Sequence, residues 1–340
     1  MKLAVIEGDG IGREVIPAAV EVLDAFGLEF EKVPLELGYA RWERIGAAIS
    51  EEDIKTIKNC DAILFGAITT VPDPNYKSVL LTIRKELDLY ANIRPVKPLP
   101  GIKGVTGKSN FDFVIVRENT EGLYSGIEEL GPELSWTKRV VTRKASKRVA
   151  EYACKLASKR KNHLTIVHKS NVLKSDKLFL ETCQEVARAC KVEFNDMLVD
   201  SMAYSLMLHP ERYDVVVTTN LFGDILSDMC AALVGSLGLV PSANIGYRYA
   251  FFEPVHGSAP DIAGKGVSNP IAAILCVKML LEWMGREREA SLVEEAVGYV
   301  LENKIISPDI GGSASTAEIG HAAAEYVKKA LKENIFYSSN

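Results

Sequence analysis

Short apolar runs alternate with amphipathic stretches along the chain. Leu3–Ile6 is apolar and ends in glycines; Val15, Ile16, Ala19, Val20, Leu23 and Phe26 then recur at helical spacing, and Gly27 suits the stop. Ala62–Phe65, Phe111–Val116, Leu164–Val167 and Val215–Val217 are short runs rich in Ile and Val, each followed by a loop or helix. Strands buried on both faces need such unbroken apolar runs, so the pattern predicts an α/β fold around a mostly buried sheet. Tyr213–Asn220 reads as a buried strand with its exit loop, and Gly223–Asp228 as the start of a helix. Pro95, Pro98 and Pro100 with Gly101 and Gly104 mark one break; Gly235, Gly238 and Pro241 mark a second. Two breaks suggest a discontinuous domain whose ends return to one body.

The length, 340 residues, suits two domains or one large α/β unit. A net charge of −5 leaves no basic footprint for nucleic acid, but an acidic protein can still hold an acidic substrate in a local cationic pocket. The longest apolar stretch, Ile271–Trp283, is interrupted by Lys278 and is too short to span a bilayer. The first residues do not read as a signal peptide, and the six cysteines form no C-x-x-C pair. The expectation is a cytoplasmic protein with buried free thiols.

Gly8-Asp9-Gly10-Ile11-Gly12 follows the first strand and invites a dinucleotide-fingerprint reading. That motif needs a third glycine three residues after the second, where this chain has Arg13, so the Rossmann reading fails and a tight turn before a helix remains. Asp224 and Asp228 are four apart and share a helix face; two oxygen ligands there suit Mg²⁺ or Mn²⁺, while the plainer reading is acids favoured near a helix N-terminus. Asp200, after strand-like Met197–Val199, is a third candidate. Arg84, Arg94 and Arg117 sit beside apolar sequence: Arg94 is extended because Pro95 follows it, and Arg117 ends a strand, where α/β sheets place ligands. Three converging guanidiniums would hold a di- or tricarboxylate, although any one alone reads as a surface ion pair. Lys169 and Tyr124 can carry protons if a pocket shifts them; each alone reads as a surface amine or a packed ring.

Together these residues resemble the β-decarboxylating dehydrogenases, the isopropylmalate, homoisocitrate and isocitrate dehydrogenases. The likeness runs from the glycine turn to about Gly312 through five blocks: Arg84-Lys-Glu-Leu-Asp-Leu-Tyr-Ala-Asn-Ile-Arg94-Pro, Arg117-Glu-Asn-Thr-Glu-Gly-Leu-Tyr124, His168-Lys169-Ser-Asn-Val-Leu-Lys, Asn220-Leu-Phe-Gly-Asp224-Ile-Leu-Ser-Asp228, and Glu253-Pro-Val-His256-Gly-Ser-Ala-Pro-Asp261-Ile-Ala-Gly. The resemblance implies a two-domain, non-Rossmann α/β fold. Residues 1–96 and 237–340 would form a nucleotide domain, and residues 97–236 a dimer and metal domain with an arm near 125–141.

It implies that Arg84, Arg94 and Arg117 grip the malate carboxylates, and that Asp224 and Asp228 hold Mg or Mn with Asp200 from the partner subunit. Lys169, also from the partner, would help take the C2 hydroxyl proton, and Tyr124 would return a proton to C3 after CO₂ leaves. The cation would polarise the C2 ketone and stabilise the enolate. The nucleotide loop would use Glu253, His256, Gly257, Ser258, Ala259, Asp261 and Asn269. Asp261 would meet the ribose hydroxyls and repel a 2′-phosphate, which implies NAD; NADP-using isocitrate relatives carry Lys-Tyr in place of Asp261-Ile262. The active assembly would be a homodimer or a larger assembly of dimers with shared sites.

Substrate choice should lie in Tyr76–Ile83 and nearby. Ser78 or Thr69, with Lys77, would meet a distal carboxylate; Leu80 and Leu81 would instead pack an isopropyl group. The Tyr-Lys-Ser run before an aliphatic pair is similar to archaeal and fungal homoisocitrate enzymes, so homoisocitrate is the first expectation, isopropylmalate the second and isocitrate the third. A non-catalytic regulatory subunit of the same fold is the rival from another class, and the retained Tyr124, Lys169, Asp200, Asp224 and Asp228 argue against it.

Overall fold

A computed structural model describes residues 1–73 and 75–338, with side chains to Glu333. In chain order the elements are β1 (Lys2–Gly8), α1 (Gly12–Asp24), β2 (Glu31–Pro34), α2 (Tyr39–Ile45), α3 (Glu51–Lys58), β3 (Ala62–Ala67), α4 (Val79–Glu86), β4 (Ala91–Val96) and β5 (Phe113–Glu118). A hairpin, β6 (Glu128–Glu129) and β7 (Trp136–Thr137), precedes α5 (Arg143–Ala157), β8 (His163–His168), α6 (Lys174–Cys190), β9 (Glu193–Leu198), α7 (Val199–Leu208), β10 (Val215–Thr218) and α8 (Asn220–Val234). The chain closes with β11 (Pro241–Ile245), β12 (Ala250–Pro254), α9 (Ile271–Trp283), α10 (Glu287–Glu302) and α11 (Thr316–Ser338).

Ten strands form one sheet in the order β2-β1-β3-β12-β11-β4-β5-β10-β8-β9. The first six strands come from residues 2–96 and 241–254, the last four from 113–218. Each group is largely parallel, but β11 runs antiparallel to both β12 and β4, and β4 runs antiparallel to β5. Strand direction therefore reverses in the middle of the sheet.

Alternate residues of β1, β3 and β12 feed separate cores, as the two-residue strand period demands. Leu3, Ala62, Leu64 and Phe252 pack with α1 and α9, whereas Ala4, Ile6, Ile63, Phe65 and Phe251 pack with α3 and α4. The apolar stretch at Ile271–Trp283 is α9, a core helix; among the described residues no helix is long and apolar enough to cross a membrane.

Three local expectations change. Pro95 lies inside β4, not in a break: its β11 partners stop at Ile93, so no ladder bond is lost to the missing N–H. Helix α8 begins at Asn220, which puts Asp224 in its second turn. Cys190 is exposed, unlike the other five thiols, because it ends α6.

Candidate active site

The mid-sheet reversal opens a cavity of about 290 Å³, with Arg84, Arg94, Arg117, Tyr124, Asp224 and Glu253 among its lining residues. Each arrives from a different element. Arg84 is in the last turn of α4, Arg94 is on β4, and Arg117 is on β5. Tyr124 stands on a single helical turn, Asp224 on α8 and Glu253 on β12. Arg94 and Arg117 are 5% and 1% exposed. Burying guanidiniums is costly unless they are paired, and here each finds an acid. Arg117 pairs with Asp224 through Nη1 and donates from Nε to Asn220 Oδ1 at 3.0 Å. Arg94 Nη1 donates to Asp228 Oδ1 at 2.9 Å and Ser227 Oγ at 2.6 Å; its Nη2 reaches Asp224 at 3.4 Å. Arg84 Nη2 donates to Glu253 Oε1 at 2.8 Å, while Arg84 Nε is buried with no partner. That unpaired donor suits an incoming anion.

Gly223 makes the Arg117 contact possible: a Cβ there would stand 2.6 Å from the Arg117 side chain.

The electrostatics follow from this crowding. Burial, then Arg94 and Arg84, pull the Arg117 guanidinium down to about 10, still charged at neutral pH. Burial pushes the Asp224 carboxyl up, but Arg117, the Tyr124 hydroxyl and Arg94 outweigh it and hold the group below the usual carboxylate range. Asp228 moves the other way: burial raises it, Arg94 opposes, and Asp224 adds repulsion. Tyr124 donates to Asp224 Oδ2 at 2.6 Å, and burial followed by this bond raises its phenol. The hydroxyl thus stays protonated at neutral pH, able to act as an acid at the cavity wall.

Lys169 and Asp200 lie elsewhere. Lys169 Nζ donates to Asp200 Oδ1 at 2.5 Å, and neither residue lines the cavity. The Lys169 hydrogen bond lowers the carboxyl of exposed Asp200. Asp176, fully buried and paired with Arg139, accepts the Lys169 backbone N–H at 2.7 Å and so fixes the lysine's loop. Asp200 falls in the first turn of α7. Among the described residues no group of three or more His, Cys, Asp or Glu side chains could hold a metal, so Asp224 and Asp228 stand as a pair.

The selectivity residues divide. Ser78, Leu80 and Leu81 line the cavity, and the Ser78 hydroxyl caps α4 by accepting from Leu81 N at 3.4 Å, leaving its own proton free. Thr69 is turned away: its hydroxyl pairs with Ser258 Oγ at 2.7 Å and its N–H goes to Asp9. Thr69, the other residue expected near a distal carboxylate, is not among the residues that line the cavity.

The loop after β12 closes one side. His256 Nδ1 donates to Gly257 O at 3.0 Å; its Nε2 is buried with no partner, and burial lowers its pKa, which leaves a neutral ring with an open acceptor. Gly257 and Asp261 are exposed, and Ala259 takes a positive φ of 39°. Glu14 pins the loop, accepting from Gly264 N at 2.5 Å and Ser268 Oγ at 3.1 Å. Asn269 accepts from Ile271 N at 3.0 Å through Oδ1 and donates to Asp309 at 3.2 Å through Nδ2, one bond on each side of its amide. The failed glycine motif also finds its purpose here. A Cβ on Gly10 would stand 2.0 Å from Ser258 O, and Asp9 accepts the N–H groups of Tyr39, Ala40 and Thr69. The turn exists to let this loop approach.

Sequence reading passed over Asn92, Asn220 and Asn244. For Asn92 and Asn244, a polar amide inside an apolar strand run was the available signal.

With this geometry in view, comparison with known proteins is decisive. A family model described as isocitrate/isopropylmalate dehydrogenase matches residues 2–323. The chain belongs to the isocitrate/isopropylmalate dehydrogenase family. Among its curated relatives, homoisocitrate dehydrogenase of Methanocaldococcus jannaschii is 48% identical over 98% of this chain and 99% of its own length. The 3-isopropylmalate/3-methylmalate dehydrogenase of the same organism is 47% identical over 96% and 99%. The crystal structure of isocitrate dehydrogenase from Methylococcus capsulatus superposes with a TM-score of 0.92 at 40% identity, covering 96% of this chain and 99% of that one. This family member is thus an enzyme, a decarboxylating dehydrogenase with the α/β fold of its relatives.

Proposed function

We propose that the enzyme oxidises and decarboxylates a 3-substituted (2R,3S)-malate with NAD and Mg²⁺ or Mn²⁺, homoisocitrate being the preferred acid and 2-oxoadipate the product. The carrying observation is the convergence of three guanidiniums, the Asp224 carboxylate and a protonated tyrosine on one small cavity, with Asp228 held beside it by Arg94.

The residues fit the absent groups. Asp224 and Asp228 project from one helix face with partly exposed oxygens, and the unpaired Arg84 Nε and His256 Nε2 await ligands. A bound divalent cation would supply Lewis-acid polarisation at the C2 oxygen, and NAD would accept the hydride. Arg84, Arg94 and Arg117 orient the carboxylates by two-point contacts. Tyr124 holds the proton that C3 needs after CO₂ departs. Exposed Asp261 supports NAD, because its charge repels a 2′-phosphate. NADP used as efficiently as NAD would refute that preference.

The pocket is completed by a second copy of the chain. Lys169 and Asp200 supply the missing base and third carboxylate, and both lie outside the cavity of their own chain. Around them the surface is apolar: Tyr204 (72% exposed) and Leu208 on α7, Ile225 on the adjoining α8, and Val172. The hairpin arm adds Leu130 and Leu134. Such a face is costly to leave in water, and a symmetric dimer would cover it.

For the acid, Ser78 with its free proton and nearby Lys77 favour a distal carboxylate, whereas Leu80 and Leu81 at the mouth favour an aliphatic tail. The near-equal identities to homoisocitrate and isopropylmalate enzymes do not choose between them. Side-by-side kcat/KM on homoisocitrate, 3-isopropylmalate and isocitrate decides. Isopropylmalate winning by more than about tenfold, roughly 1.4 kcal/mol, would overturn the assignment.

A further inference from the structure

Beneath the cavity runs a row of buried amides for which the reaction as described has no use. Asn92 on β4 and Asn244 on β11 are register partners, and both are fully buried. Carboxamides inside a sheet of Ile, Val and Phe are costly unless their groups are paired. These form a directed chain. Arg94 Nε donates to Asn92 Oδ1 at 2.7 Å, and Asn92 Nδ2 donates to Asn244 Oδ1 at 3.0 Å. Asn244 Nδ2 donates to Glu253 Oε1 at 2.8 Å, the oxygen that also accepts from Arg84 Nη2. Asn119 Nδ2 adds a second donor to Asn244 Oδ1 at 2.9 Å.

The ends set the polarity. A guanidinium only donates and a carboxylate only accepts, so each amide between them has one permitted orientation. Flipping either would set its NH₂ against another donor. Charges at the two ends also polarise the amides, so each bond strengthens the next. Arg117 stands outside the chain, with its Nε and Nη2 committed to Asn220.

We propose that Asn92 and Asn244 are positioning residues: together with Glu253 they lock Arg94 and Arg84 into one unit that meets two carboxylates at a fixed separation. The inference rests on the reading that these arginines grip the substrate acid. A guanidinium freed from the chain would still attract an anion but would lose its two-point geometry, and a misplacement of about 1 Å costs up to a hundredfold in rate.

The test is steady-state kinetics on Asn244→Ala, Asn92→Ala and Asn244→Asp in the full-length enzyme with Mn²⁺ and NAD. Both alanine variants should lose about ten- to a hundredfold in kcat/KM for the malate, with KM for NAD within about threefold of wild type. Asn244→Asp keeps the acceptor for Asn92 and Asn119 but faces Glu253 with a second carboxyl. Arg84 on α4 contacts Glu253 directly, and Arg94 on β4 reaches position 244 through Asn92. At acid pH the two carboxyls share a proton, the donor is restored, and activity should recover; the wild type has no such limb. A residue that merely filled space would not create this pH dependence. Alanine variants within about twofold of wild type for the acid, or an Asn244→Asp enzyme with no acid recovery, would overturn the proposal. Should the alanine variants fail to fold, the Asn244→Asp pH profile decides alone. Arg94→Met separates the two layers: if it leaves KM and kcat for the acid unchanged, the arginine-grip reading falls and takes this inference with it. If it is impaired while the asparagine variants are not, only the positioning role falls.

Discussion

Two charged clusters in this enzyme are built in opposite ways. The arginine pocket lies mid-sheet; its guanidiniums are more than nine-tenths buried and tied to buried partners from several strands and helices. In the second, exposed Asp200 accepts from half-buried Lys169, whose tip is held by that one side-chain contact. The first cluster is rigid because a buried charge tolerates no alternative partner. The second is free to exchange Asp200 for whatever approaches, as half of a site would be. On the proposed reading, the contrast separates a pocket that selects the acid within one chain from a proton acceptor that would be delivered across a subunit boundary.

The strongest way to break this contrast is complementation. Lys169→Ala and Tyr124→Phe should each abolish most turnover, and neither should alter the fold. Mixed in equal amounts and allowed to exchange subunits, they should regain about a quarter of wild-type activity, because half of the dimers then carry one intact site and one doubly defective site. No recovery after proven exchange would place Lys169 and Tyr124 in the same subunit's site.

Arg94→Met should cost about 2–5 kcal/mol, a loss of roughly 30- to 5,000-fold in kcat/KM for the acid, since it removes a buried cation and strands Asp228 and Asn92. The measurement is initial rates at saturating NAD; a loss under about threefold would mean that the pocket is structural.

Metal binding sharpens the comparison at smaller scale. Saturating Mn²⁺ should raise the thermal midpoint of wild type by several degrees, as a ligand at about a hundredfold its Kd contributes near 2.7 kcal/mol. Asp224→Asn should abolish that rise, and Asp200→Asn should reduce it only in the dimer. An unchanged rise in Asp224→Asn would move the metal elsewhere.

The smallest effect is the acid limb of stability without metal. Folding lowers the Asp224 carboxyl from its ordinary 3.8, so its contribution is present above that value and is lost as pH falls through the lower folded one. Wild type should therefore lose thermal stability below about pH 4 more steeply than Asp224→Asn. Asp228 is raised by folding and contributes in the opposite sense, so Asp228→Asn should leave the acid limb at least as steep. Reversal of that order would contradict the ion-pair geometry.

Local pattern alone determined the repeating elements and part of the chemistry. Apolar runs mark strands wherever a chain lies, and a four-residue spacing puts Asp224 and Asp228 on one helix face whatever surrounds it. Arg94 and Arg117 were legible at strand positions for the same reason. Tertiary structure decided the rest. Arg84 meets Glu253 across 169 residues of sequence, and Asn92 meets Asn244 across 152, because β11 returns to pair with β4. Register between strands so far apart leaves no trace in local periodicity, so an amide inside an apolar run shows that it needs a partner but not which one. Thr69 and Asn269 mark the same boundary: their residue types suited a ligand, and only the fold shows that Ser258 and Asp309, distant in sequence, share their polar groups. A periodic sequence states what each segment is; packing alone states which polar groups are left open to bind.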